Sequence, residues 1–178
     1  SQHGCTDTTA GQVQVYPELV ASFLVDSLAC SPFAVDLTNT SIGASAYQWD
    51  MGDGTILVGN EPAYTFVNNT TSDLVRTITL TATSAFGCTA TAVHTVTIAP
   101  VPSAAFQATP NTQQFPNADV LVLNNSSPGP WTHAWSFGDG GTAALASPGT
   151  HTYGTWGTYT ITLVVSSSFC SDTATQTV

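Results

Sequence analysis

The feature that most constrains this chain is an internal repeat. Residues 49–54 read Trp-Asp-Met-Gly-Asp-Gly, and residues 135–140 read Trp-Ser-Phe-Gly-Asp-Gly. The run Thr-Ile-Thr-Leu at 77–80 returns at 160–163. The two copies lie about 82 to 86 residues apart at each landmark. Self-similarity at a fixed period is typical of an array of similar units, so the chain is predicted to consist of repeated structural units.

A third, partial copy opens the chain. The run Cys-Thr-Asp-Thr at 5–8 matches Cys-Ser-Asp-Thr at 170–173, near the end of the chain. The chain is therefore expected to begin in the last strand of a unit whose body lies upstream. The predicted organisation is the last strand and linker of a preceding unit at 1–17, a first full unit at 18–100 and a second at 101–178.

Composition and periodicity indicate a folded all-β protein. The chain has 42% hydrophobic and 7% charged residues, the reverse of the balance that disorder requires. Polar and apolar residues alternate in 77–82 and 159–165, which is typical of a strand with one face in water. Strands recurring about every 10 residues, with no helical spacing between them, predict β-sandwiches.

The charge balance excludes some partners. The formal net charge is −10, and Arg76 is the one basic residue apart from histidine. Such a chain has nothing to neutralise phosphates, so neither nucleic acid nor an anionic membrane surface is an expected partner. No apolar run approaches the roughly 20 residues of a membrane helix. Arg76 has inward strand parity, so it is expected to pair with Asp50, Asp53 or Asp73, with the turn residues favoured.

The motifs in the second copy resemble those of a known family. Its residues 135–140, a Pro-x-x-His-x-Tyr segment at 148–153 and Gly-Thr-Tyr-Thr-Ile-Thr-Leu at 157–163 are similar to the PKD domain, the polycystic-kidney-disease repeat. The first copy resembles it at 49–54 and more loosely afterwards. The resemblance implies seven-stranded immunoglobulin-like sandwiches with an extracellular role in adhesion, spacing or ligand contact. The chain also resembles the PKD arrays of giant secreted bacterial surface proteins.

Most of the singled-out side chains are expected to be structural. The predicted core residues are Trp49, Trp135, His151, Tyr153 and Tyr159. No nucleophile-and-base set or zinc motif is visible, so the chain is not expected to be an enzyme.

Two further tryptophans and two aspartates leave alternatives open. Trp131 and Trp156 would stack on a neighbouring subunit, stack on a sugar, or cap their own core. Asp53 and Asp139 are expected first to bond amides of their Gly-Asp-Gly turns, but Asp50 and Asp53 could instead offer two hard oxygens to calcium. Otherwise no cofactor is expected.

Four cysteines indicate an oxidising, extracellular setting. In an immunoglobulin-like topology Cys30 and Cys88 would lie a strand length apart, beyond the roughly 7 Å between Cα atoms that a bridge allows. Cys30 is therefore expected to bond Cys170 of the next unit, with Cys5 and Cys88 bonded to units upstream. A bond between Cys30 and Cys88 within one unit stays open as the alternative.

Together these observations predict a structural segment of an extracellular, cell-surface bacterial filament or adhesive appendage that serves attachment, gliding or prey capture. Its expected partners are neighbouring repeats of the same chain, other copies in lateral contact, and a surface glycan or protein ligand. The alternative is an accessory substrate- or carbohydrate-binding module of a secreted hydrolase.

Overall fold

A computed structural model describes residues 8–178, which contain sixteen strands and no helix, and hence no helix able to cross a membrane. The predicted all-β class is confirmed. The strands are β1 (Phe23–Leu24), β2 (Leu28–Cys30), β3 (Phe33–Val35), β4 (Thr38–Asn39), β5 (Ala46–Asp50), β6 (Ile56–Val58), β7 (Tyr64–Phe66), β8 (Leu74–Thr83), β9 (Thr89–Ala99), β10 (Phe106–Thr109), β11 (Asp119–Asn124), β12 (Thr132–Ser136), β13 (Thr142–Ala143), β14 (Gly149–Thr152), β15 (Thr160–Ser166) and β16 (Ser171–Thr177).

The start of the chain was expected to hold the last strand of a preceding unit. Residues 1–7, which include Cys5, lie outside the described residues, and residues 8–19 form no strand. That strand, and the domain boundaries at 1–17, 18–100 and 101–178, stay predictions.

Strands β1 to β9 form the N-terminal sandwich. Its larger sheet has the order β2-β9-β8-β5-β6, and the opposite layer consists of the two-stranded ladders β1-β4 and β3-β7. Alternation along β8 buries Ile78, Leu80 and Ala82 completely, and they share the core with Trp49 and Phe23. Burial of these apolar side chains supplies the main driving force for folding.

Strands β10 to β16 form the C-terminal sandwich. One sheet has the order β13-β12-β15-β16 and the other β10-β11-β14. Ile161, Leu163 and Val165 of β15 are fully buried, as their counterparts in β8 are, and they pack around Trp135.

The N-terminal sandwich has nine strands rather than the expected seven. The reason is that its first strand is divided: β1 pairs with β4 in one layer, and β2 crosses to pair in parallel with β9 in the other. The second strand is likewise divided into β3 and β4 by residues 36–37. In the C-terminal sandwich β10 and β11 are each continuous, so the predicted seven strands are present.

Candidate functional site

The two sandwiches are joined covalently. Cys30, at the end of β2, forms a disulfide with Cys170, just before β16, and the two Cα atoms are 5.9 Å apart. Of the two pairings considered from the sequence, this is the one between units. Cys88 is exposed and has no disulfide partner within residues 8–178.

Local structure places both cysteines at the joint. The parallel ladder between β2 and β9 sets Cys30 beside Ala99, and the amide of Ser31 donates to the Ala99 carbonyl at 2.9 Å. On the other side the amide of Cys170 donates to Ser167 Oγ at 3.1 Å, which holds the turn before β16. Cys170 Sγ lies 4.0 Å from the Ala99 carbonyl oxygen. The joint is thus made where the chain leaves one sandwich and enters the next.

The connecting segment has little freedom of its own. Pro100 and Pro102 are both buried, and proline fixes its own φ. The amide of Ser103 donates to Ser127 Oγ at 2.9 Å, and the amide of Ala104 donates to Asp172 Oδ2 at 2.8 Å. The chain is therefore anchored to the C-terminal sandwich from Ser103 onward.

A cleft of about 240 Å³ lies along the joint. Trp131 lines it from the C-terminal sandwich and Asp73 from the N-terminal one. Trp131 also packs against the core of its own sandwich, and its Nε1 donates to the Ser127 carbonyl at 2.9 Å. Trp131 thus packs on its own core, one of the roles considered for it, and also lines the joint within the chain, while stacking on a neighbouring subunit or a sugar stays a prediction.

The first Gly-Asp-Gly turn is closed by its own carboxylates. Asp50 Oδ1 accepts from the Gly52 amide at 2.8 Å, and Asp53 Oδ1 accepts from the Thr55 amide at 3.0 Å. The Tyr64 hydroxyl donates to Asp53 Oδ2 at 2.5 Å. Partial burial alone would raise the pKa of Asp53, but the hydrogen bonds from Tyr64 and Thr55 hold it below its usual value. The same bond to Asp53 raises the pKa of Tyr64.

These carboxylates offer few free oxygens to a metal. Calcium takes six to eight oxygen ligands. Within residues 8–178 no group of three or more His, Cys, Asp or Glu side chains is placed to hold a metal ion. Calcium binding at Asp50 and Asp53 stays a prediction. The geometry agrees with the amide bonding expected of Asp53.

In the second Gly-Asp-Gly turn the aspartate has a histidine partner in place of the tyrosine. His151 Nε2 lies 2.8 Å from Asp139 Oδ2, and the Gly141 amide donates to Asp139 Oδ1 at 2.8 Å. Burial alone would raise the pKa of Asp139, but the bonds from His151 and Gly141 bring it below its ordinary value. The His151 ring also stacks on Phe137, with centroids 4.0 Å apart. The sequence assigned His151 to the core and missed its carboxylate partner, although Asp53 and Tyr64 occupy the equivalent positions.

One protein-family model matches the C-terminal sandwich. Residues 97–178 match the family model of the PKD domain, and the match begins inside β9. The C-terminal sandwich is therefore similar to PKD domains, and we call it the PKD domain below. PKD domains are typically extracellular, non-catalytic modules with structural or binding roles.

Two solved structures are similar to the chain. The PKD1 domain of the Vibrio cholerae metalloprotease PrtV is 26% identical, covers 46% of this chain and 96% of its own, and has a TM-score of 0.38. The amphioxus IgVJ-C2 molecule is 14% identical, covers 76% of this chain and 89% of its own, and has a TM-score of 0.36. A search of curated proteins returned no match.

The core of the PKD domain contains most of the residues expected there. Trp135 and Tyr153 are buried, and Tyr159 is half-buried and stacks on Tyr153 with centroids 4.2 Å apart. Burial raises the pKa of Tyr153 to about 12. Trp135 Nε1 donates to the Leu145 carbonyl at 2.9 Å, and Trp49 makes the same bond in the N-terminal sandwich. His151 is only partly buried.

Trp156 does not cap its core. It is 85% exposed and lies at the end of the PKD domain remote from the joint, beside a cavity of about 360 Å³. Phe115, Tyr159, Asn111 and Gln113 also line this cavity. It thus combines aromatic and amide side chains and has no charged residue in its lining. The sequence singled out Trp156 but not the loop at 110–116 that faces it.

The expected ion pair of Arg76 is absent. The pair between His151 and Asp139 is the single salt bridge within residues 8–178, so Arg76 forms no such bond there, although its positive charge helps to lower the pKa of Asp53. Arg76 Nε is buried with no hydrogen-bond partner in that part of the chain. Its side chain is half-buried, so the charge keeps partial contact with water.

Proposed function

We propose that this chain is a structural segment of an extracellular bacterial filament or adhesive appendage. Its sandwiches would stack end to end, with disulfides locking the joints. The observation that carries the proposal is the bond between Cys30 and Cys170, which ties the end of one sandwich to the hairpin of the next. A module that only presents a substrate needs no such covalent joint.

The setting of the proposed filament is the cell surface. A disulfide that joins two units is maintained in an oxidising compartment, and PKD domains are typically extracellular. The N-terminal sandwich would be a second unit of the same kind, since it repeats the tryptophan, the Gly-Asp-Gly turn and the hairpin of the PKD domain. Attachment, gliding and prey capture are the roles that such an appendage would serve.

The mechanism is mechanical. The buried prolines and the hydrogen bonds of Ser103 and Ala104 leave a short connecting segment, and the disulfide adds a second connection beside it. Two connections side by side resist bending and twisting better than one. No catalysis is assigned to the chain.

Lateral contact between copies is a further part of this proposal. The chain has 7% charged residues, so neighbouring filaments would meet through polar threonine faces and apolar edges. Sedimentation velocity of residues 1–178 over a range of concentrations tests it. Association that increases with concentration is expected, and a monomer at every concentration would count against lateral contact.

The proposed function is tested on the source cells. An antibody against residues 18–178, with gold-labelled secondary antibody, is expected to decorate discrete filaments in the electron microscope. Pre-absorption with the purified chain is the control and removes the label. Diffuse label, or label that purifies with a soluble hydrolase, would contradict the filament.

An accessory binding module is the second candidate, and the cavity beside Trp156 favours it. Exposed aromatic rings stack on sugars, and neutral amides bond hydroxyl groups. Pull-down of the chain on chitin, cellulose and collagen tests this function. Retention that is lost in Trp156→Ala but kept in Phe169→Ala, a change at another exposed aromatic residue, would support it over the filament.

A further inference from the structure

The two hairpins that precede the last strands are built alike, but only one of them is bonded. The amide of Ser84 donates to the Cys88 carbonyl at 2.8 Å, and the amide of Cys88 donates to Ser84 Oγ at 3.2 Å. Ser167 and Cys170 make the same two bonds at 2.8 and 3.1 Å. Cys170 is buried in its disulfide, whereas Cys88 is exposed and unbonded within residues 8–178.

The residue before a proline lies against each of the two hairpins, although through different groups. Pro17 lies twelve residues after Cys5, as Pro100 lies twelve residues after Cys88. At the joint, the residue before Pro100 is Ala99, and its carbonyl oxygen lies 4.0 Å from Cys170 Sγ in the hairpin. On the N-terminal sandwich, the residue before Pro17 is Tyr16, and its ring lies 4.7 Å from that of Phe86 in the hairpin turn. Two independent observations, spacing and packing, therefore relate the two ends.

Tyr16, Phe86 and Cys88 form what we call the leading face. Tyr16 is 46% exposed and Phe86 57% exposed, so the face combines apolar rings with a free thiol. The corresponding face of the PKD domain is covered by the end of the N-terminal sandwich that carries Cys30, which we call the trailing end. Within residues 8–178, the interface at the joint thus has an equivalent that no other sandwich covers.

We propose that the leading face docks the trailing end of another sandwich of this kind, and that Cys88 forms a disulfide with a cysteine at the position of Cys30. Cys30 lies beside Ala99 in the ladder, so the partner cysteine would lie beside Tyr16, next to the hairpin. This inference rests on the proposed stacking of sandwiches and names the partner at the next joint.

The bond requires an oxidant. Two thiols lose two protons and two electrons when the S–S bond forms. A disulfide accepts them and becomes two thiols, and that disulfide belongs to a thiol oxidoreductase or to oxidised glutathione. A contact held this way repeats head to tail, because the docking patch and the docked patch lie at opposite ends of the sandwich.

The test is a fusion that supplies a trailing end. A second copy of residues 18–100 replaces residues 1–17, so that Pro100 of the added copy stands where Pro17 stands. In the added copy Cys88→Ser removes the duplicate thiol, and Asp26→Glu, at an exposed position, marks the Cys30 peptide by mass. The protein is refolded in a glutathione redox buffer, alkylated and digested without reduction.

Mass spectrometry is expected to join the Cys88 peptide to the marked Cys30 peptide, and the unmarked Cys30 peptide to Cys170. In the control, residues 1–178, nearly all Cys88 is expected to be alkylated. If Cys88 stays alkylated in the fusion while Cys30 and Cys170 are bonded, the docking inference is overturned and the stacked array is untouched. A bond between Cys5 and Cys88 in the control would also overturn it.

Protein isolated from its source gives a second measurement that does not depend on the fusion folding. A non-reduced digest is expected to join Cys88 to a cysteine from outside residues 1–178. Cys88 recovered as a free thiol there would contradict the proposal.

Discussion

The two sandwiches bond their first strand to their last strand in different ways. In the N-terminal sandwich β2 crosses over and makes a parallel backbone ladder with β9. In the PKD domain β10 stays in its own sheet, and the Gln176 side chain bonds both the amide and the carbonyl of Ala108 at 2.9 Å. One amide side chain thus satisfies the backbone groups that a ladder satisfies elsewhere. The crossing also has a consequence for function, because it brings Cys30 to the trailing end.

The two Gly-Asp-Gly turns show a second difference between the sandwiches. Asp53 accepts a bond from a tyrosine hydroxyl, and Asp139 pairs with an imidazole that carries charge only when protonated. Each aspartate accepts an amide bond within its own turn, but Ser136 replaces Asp50 in the second turn, and the contact of Asp139 is ionic only when His151 is protonated. Substitutions at matched positions can therefore separate the stability that the shared fold contributes from the stability that each partner residue adds.

The largest expected effect is at the shared tryptophan. Trp49→Ala and Trp135→Ala each remove a buried indole and its hydrogen bond, and each should lower the free energy of unfolding by about 3–5 kcal/mol. Urea unfolding followed by far-UV circular dichroism measures the loss. Trp156→Ala, at an exposed site, should change it by less than about 0.5 kcal/mol. Clearly unequal losses at the two core sites would break the equivalence of the sandwiches.

The next effect distinguishes the bonded hairpin from the free one. Cys30→Ser combined with Cys170→Ser should lower the free energy of unfolding by about 2–4 kcal/mol, since the bond restrains the unfolded chain. Guanidinium unfolding without reductant measures it. Cys88→Ser is the matched control, and a change within about 0.5 kcal/mol is expected. An equal loss in the control would show that Cys88 is already bonded.

The glycine turns should respond alike in both sandwiches. A Cβ at Gly52 would lie 2.4 Å from the Thr77 carbonyl oxygen, and the corresponding distance at Gly138 is 2.8 Å. Gly54 and Gly140 also have positive φ, but nothing lies within 4 Å of a Cβ there. Alanine at Gly52 or Gly138 should cost about 1–3 kcal/mol. Thermal unfolding should show smaller losses at Gly54 and Gly140, and equal losses would make φ alone the cause.

A change at Gln176 tests how the first and last strands of the PKD domain are bonded. Gln176→Ala leaves the amide and carbonyl of Ala108 without their partner, so a loss of about 1–2 kcal/mol is expected. Hydrogen exchange should rise at Ala108 and not in β2, which has its own ladder. Gln48→Ala, at an exposed position without a side-chain bond, is the control. Unchanged protection at Ala108 would refute the role of Gln176.

The smallest effect is the response to acid. The pKa of both Asp53 and Asp139 is lowered from 3.8, so their contribution to stability is present above that value and is lost as the pH falls through the folded-state pKa. Asp53→Asn and Asp139→Asn should each cost less than about 1 kcal/mol at pH 7. Melting curves from pH 7 to pH 2 should show a weaker acid dependence in both variants than in Asp26→Asn. An unchanged dependence would exclude these two turns as its source.

Part of this molecule could be predicted from local pattern. The alternation along β8 and β15 indicated which side chains are buried, because successive residues of a strand face opposite sides. The repeat indicated two copies of one frame, and strand topology favoured the pairing of Cys30 with Cys170. The bond from His151 to Asp139 was missed because the two residues lie twelve positions apart, on a strand and a turn that meet only after folding.

The sequence by itself determined the all-β class, the repeated frame and the inward tryptophans, since these follow from a period of two and from turn glycines. Only the tertiary structure decided that the first strand changes sheets, that Arg76 forms no salt bridge within residues 8–178 and that Cys88 remains exposed. The physical reason is the distance along the chain between the residues that interact. Alternation and turn preference act between neighbours along the chain, whereas a change of sheet or an ion pair depends on the distance between atoms brought together by folding.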